Sequence, residues 1–89
     1  MMFRAIDIWR RVNDSEVVRY RCFQSLRTGR YCVQSADSYR LPDNLNQERY
    51  LERQYIQLLI EQAPDERGGA YDTLEAAIEA HDAEFNPPR

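Results

Sequence analysis

The hydrophobic rhythm of this chain changes once, near residue 40, and that change bounds what it can fold into. Up to Ala36, apolar and polar residues are interleaved and rich in β-branched and aromatic types. A period of two is that of a half-buried strand. From Leu45 onward apolar residues recur every three or four positions, the period of an amphipathic helix. The reading is an α+β fold: a three-stranded antiparallel β-meander followed by two α-helices packed on one sheet face, in the order β-β-β-α-α. With 89 residues there is room for one domain, 1–89, and one modest core.

The expected strands cover about 3–12, 17–26 and 30–36. Asn13-Asp14-Ser15-Glu16 is a turn of short polar residues that bond their own backbone. Arg27-Thr28-Gly29 suits a three-residue hairpin loop with Gly29 in the left-handed conformation. That loop pairs Leu26 with Arg30, Phe23 with Val33 and Gln24 with Cys32. The first turn allows two registers. An even loop sets Trp9 opposite Tyr20; an odd loop sets Ile8 opposite Cys22 and Trp9 opposite Arg21. A one-residue slip exchanges the faces, and the odd register sorts them better. It gathers Ile6, Ile8, Val12, Val18, Tyr20, Cys22, Leu26, Cys32 and Ala36 on one face. Asp7, Trp9, Arg11, Arg19, Arg21, Phe23, Tyr31 and Val33 take the other.

Residues 37–44 are a connection in which Pro42 ends strand geometry and Asp43 or Asn44 caps the next helix. The expected helices cover about 45–62 and 73–84. Leu51, Tyr55, Leu58 and Leu59 form the stripe of the first; Ile56 and Ile60 widen it, so this helix needs cover on more than one side. Pro64 stops it, and Asp65 to Gly69 form an exposed loop. Asp72 is the expected N-cap of the second helix, with Glu75 completing a capping box. Leu74, Ala77, Ile78, His81 and Phe85 are its buried stripe. Pro87 and Pro88 end helical structure in the tail.

Charge is divided with the rhythm. Residues 1–40 hold eight arginines against four acids; residues 41–89 hold four arginines against eleven acids. The strands are basic and the helices acidic. All twelve basic side chains are arginine, the cation suited to planar, bidentate recognition of carboxylate or phosphate. The same composition also follows from internal pairing of helix acids with strand arginines.

The candidate binding face is Trp9, Arg11, Arg19, Arg21, Phe23 and Tyr31. Arginines among aromatic rings on a sheet hold single-stranded nucleic acid in several small folds, by stacking on bases and pairing with phosphates. The basic-Gly-aromatic-Gly-aromatic pattern and the βαββαβ order of RNA-recognition domains are both absent. The competing reading packs these rings under a helix.

Nothing else converges on chemistry. His81, the one histidine, falls on the apolar stripe, and metal sites need three or four converging ligands. Cys22 and Cys32 lack metal or redox spacing and read as reduced, partly buried thiols. No catalytic residue, cofactor or metal is expected. No run reaches the roughly 18 apolar residues of a membrane span, and Met1–Asp7 lacks the apolar stretch of a signal peptide; the expectation is a cytoplasmic protein. Six tyrosines and twelve arginines are residue types enriched at interfaces. The expected function is a non-catalytic protein-interaction or regulatory module, its partner another protein or a second copy joined through the sheet. Single-stranded nucleic-acid binding is the alternative.

Overall fold

The structure, a computed structural model, describes residues 1–41 and 45–85. Three strands, β1 (Phe3–Asn13), β2 (Glu16–Ser25) and β3 (Tyr31–Arg40), precede three helices, α1 (Leu45–Glu61), α2 (Pro64–Gly68) and α3 (Leu74–Phe85). The strands form one antiparallel sheet in the order β1-β2-β3, the expected meander. The expected caps at Pro42 to Asn44 and the tail from Asn86 lie outside the described residues.

The first turn closes in the phase of the even loop, not of the preferred odd one. Asn13 pairs with Glu16 across Asp14-Ser15, and Asn13 Oδ1 accepts from the Ser15 amide at 2.9 Å and from its hydroxyl at 3.0 Å. A register shift between Arg11 and Asn13 then leaves Val12 as an extra residue, a β-bulge. Ile8 therefore pairs with Tyr20 and Trp9 with Arg19, two positions from the expected partners. A slip of two keeps every side chain on its face. The face assignment of β1 and β2 holds although the register differs.

The second loop has Gly29 at φ 74°, as expected, but is one residue longer. Ser25 donates its amide to Arg30 at 3.0 Å and accepts from the Gly29 amide at 2.8 Å, so the loop is Leu26 to Gly29. Phe23 then meets Cys32 and Gln24 meets Tyr31. This slip is odd, so it moves Tyr31 and Val33 to the Tyr20 face and Cys32 to the Phe23 face. A second bulge, with Gln34 as the extra residue opposite the Arg21/Cys22 step, restores the expected phase from Ser35 onward.

The helices do not share one face; that expectation is corrected. On one side α3 packs on Tyr20, Cys22 and Val33 through Ala77, Leu74 and Ile78, with Ile6 and Ile8 alongside. On the other, the Tyr55 ring of α1 stacks on Phe23 at 5.8 Å, and Gln34 donates to the Tyr55 carbonyl at 3.0 Å. The reason is width. Three strands about 4.8 Å apart make a strip little wider than one helix of about 10 Å. Each apolar stripe is more fully covered with one helix on each face than with two side by side on one.

Local signals differ in three more places. β3 runs to Arg40, pairing Asp37 with Arg19 and Arg40 with Glu16, where the strand was expected to end at 36 and 37–40 to belong to a connection. Pro64 opens α2 as its first residue, a position where its missing N–H costs nothing; the expected exposed loop is thus partly one helical turn. The α3 cap is Thr73, whose hydroxyl accepts from the Ala76 amide at 3.1 Å. Asp72 instead pairs with Arg30 at 3.3 Å.

Candidate functional site

Five of the six candidate residues share the α1 face: Trp9, Arg11, Arg19, Arg21 and Phe23. Tyr31 is on the opposite face, packed against the α3 core, for the loop-length reason above. The five are not equally open. Arg21 and Phe23 are each 2% exposed beneath α1, whereas Trp9 is 55% exposed and Arg11 is exposed.

Arg21 is the centre of this face. Its Nε donates to Asp37 of β3 at 2.9 Å and its Nη2 to Glu52 of α1 at 2.9 Å. Its guanidinium carbon lies 4.4 Å from the centre of the Tyr55 ring. Burial works against the charge, but the two carboxylate bonds outweigh it and the guanidinium is held more firmly protonated. Arg19, one step outward, donates to Asp7 of β1 at 2.8 Å and lies 3.9 Å from Glu52. The Asp7 bond raises its pKa, against partial burial. Arg19 also stands 5.2 Å from the Trp9 ring, which meets Tyr39 at 5.8 Å. Glu52 thus bridges two strand arginines. The basic sheet and an acidic helix neutralise each other here, the internal pairing the charge division allowed. Little of this face remains for a phosphate.

Neither cysteine is poised for nucleophilic work. Cys22 and Cys32 are free and buried, on opposite faces, a geometry that keeps them unpaired. Burial pushes the Cys22 thiol up to about 12 and the Cys32 thiol to about 11, far from the thiolate that reactivity requires. His81 lines a groove between β3 and α3 with Ser35, Tyr71, Glu84 and Phe85. Burial holds the imidazole below its ordinary pKa, against the pull of Asp82 and Glu84. Its Nδ1 is buried without a hydrogen-bond partner among the described residues. No hydrogen bond joins it to Ser35, Tyr71 or Glu84 among them, so no nucleophile–base pair is assembled. Asp82 has a structural role. It accepts from the Tyr20 hydroxyl at 2.9 Å and from Arg10 at 3.1 Å, locking α3 to the sheet.

The surface left open is an edge of the expected meander. β1 has a strand partner on one side only. Of its eleven residues, only Phe3, Ile6 and Ile8 are partly covered. The outer edge of β3 is blunted, because Tyr31 and Tyr71 exchange two backbone hydrogen bonds, at 2.7 and 2.8 Å, and Gln34 interrupts the ladder. Strand order was the available signal: the outer strands of a three-stranded meander are its edges. No helix is long and apolar enough to cross a membrane among the described residues, and among them no three His, Cys, Asp or Glu side chains gather as a metal site would require. Comparison with protein-family models, with curated proteins and with solved structures finds no match.

Proposed function

We propose that this chain is a non-catalytic interaction module that binds another protein chain by adding a strand to the outer edge of β1. The carrying observation is the asymmetry of the two sheet edges. The β3 edge is occupied at Tyr31 and bent in mid-strand by the Gln34 bulge, while β1 offers an unbroken row of backbone donors and acceptors from Phe3 to Arg11 with no second partner strand among the described residues, its own bulge lying near the end at Val12. Such a row is a template for pairing, and native folds cover or interrupt it unless it is used. With a helix on each sheet face, an edge is the part of the sheet left to bind with. Trp9, half exposed beside that edge, supplies the kind of aromatic anchor around which interfaces form.

A photoreactive amino acid in place of Trp9, introduced in cells, tests this. It is expected to give discrete protein adducts on illumination, and the same probe at Glu79 on the exposed face of α3 to give none. No adduct at Trp9, or equal adducts at both positions, counts against the reading.

A further inference from the structure

We infer that the strand added to β1 is β1 of a second copy, running antiparallel about a twofold axis at Trp9, so that six strands form one sheet. This deepens the reading above and rests on it.

Symmetry restricts the choice sharply. An axis perpendicular to the sheet keeps each face continuous, so only residues of equal parity oppose each other. Each permitted register then centres on one residue. Centring on Asp7 sets Asp7 against its own copy and Arg4 against Arg10. Centring on Arg10 sets Arg10 against itself. Centring on Ile8 leaves Asp7 opposite Trp9 and Arg11 opposite Ala5, with no charge answered. Centring on Trp9 sets Asp7 of each copy opposite Arg11 of the other, twice, with the two indoles between them on one face. Opposite charges directly across a pair are favourable and like charges unfavourable. Charges that only guard an edge act by keeping a second strand away; in this register those of β1 attract a copy of themselves.

Both charged groups are free to answer. Among the described residues Arg11 is held only by the fully exposed Asp14, at 2.7 Å, an interaction worth little. Asp7 gives one oxygen to Arg19 and remains half exposed.

The test is cross-linking with a short bismaleimide, together with sedimentation velocity across a concentration series. Cys22 and Cys32 are each 1% exposed, so only an introduced cysteine reacts. Trp9→Cys is expected to give a covalent dimer. Ala5→Cys is expected to give none, since eight strand residues at about 3.4 Å would separate the two copies by about 27 Å. Arg11→Glu, on an exposed side chain the fold does not need, is expected to weaken the dimer by about tenfold or more by opposing Asp7. A wild-type monomer at every concentration overturns the inference, as does cross-linking of Ala5→Cys equal to that of Trp9→Cys, or a dimer indifferent to Arg11→Glu. A monomer that still gives photo-adducts to a different protein at Trp9 defeats this inference and leaves the broader reading standing; a monomer with no such adduct defeats both.

Discussion

Arg21 lies beneath Tyr55 with its guanidinium carbon 4.4 Å from the ring centre, a strand cation pressed under a helix aromatic and clasped by Asp37 and Glu52. A buried cation with two carboxylates and a ring pins α1 to the sheet. Removing one partner of such a buried group costs more than the group contributes when complete, because a charge is left without its counterpart.

Arg21→Ala is therefore expected to destabilise the fold by about 3–5 kcal/mol, the range for breaking a buried pair. Glu52→Gln is expected to cost under about 1 kcal/mol, because Glu52 is half exposed and water screens it. Urea unfolding of both variants checks the order. Equal costs would contradict the central place given to Arg21.

The thiols are expected to stay silent in the native state. Iodoacetamide at neutral pH should leave Cys22 and Cys32 unmodified over hours and alkylate both once urea is added, as mass spectrometry can follow. Both pKa values are raised from an ordinary 9.0, to about 12 and about 11. The folded state then binds more protons than the unfolded chain above pH 9. The contribution is complete below that pH and is lost as pH rises towards the folded values. Cys22→Ser, Cys32→Ser or the pair should flatten this alkaline loss.

His81 gives the opposite slope at acid pH. Its pKa lies below the ordinary 6.5 because burial disfavours the imidazolium. Below 6.5 the unfolded chain takes up a proton that the fold does not, so stability falls with falling pH until the folded value is reached. Thermal unfolding between pH 7 and 5 should show this decline, and His81→Gln should remove the part due to the imidazole. An unchanged slope in the variant would show that His81 is not its source.

Nucleic acid is expected to bind weakly at most. Arg19 and Arg21 already face Asp7, Asp37 and Glu52, and Phe23 lies under Tyr55. Fluorescence anisotropy with short single-stranded oligonucleotides at low salt should show no saturable binding at micromolar protein. Salt-dependent binding lost in the Arg19→Ala, Arg21→Ala double variant would restore the nucleic-acid alternative.

Much of the fold was legible because period and parity are local. The alternation of Ile6, Ile8, Val18, Tyr20 and Cys22 placed all five on one face despite a register wrong by two. Gly29 declared its left-handed turn. The basic strands and acidic helices announced the pairing that Arg21 and Glu52 make. The rest depended on single-residue insertions with no sequence mark. One extra loop residue moved Tyr31, Cys32 and Val33 across the sheet, and the bulge at Gln34 moved the remainder back. The division of helices between faces depended on the width of the sheet, a property of the assembled strands. An open edge was implied by the expected meander; that β1 is the freer of the two depended on the Tyr31–Tyr71 bridge, which no single segment reveals.

Hydrogen exchange along β1, measured from low to high micromolar protein, tests most directly whether this edge is where the chain binds. The prediction is that alternate amides between Arg4 and Arg11, those pointing away from β2, gain about tenfold or greater protection as concentration rises, while those of β3 do not change. Protection gained only on β3 or α3, or none anywhere, would contradict the account.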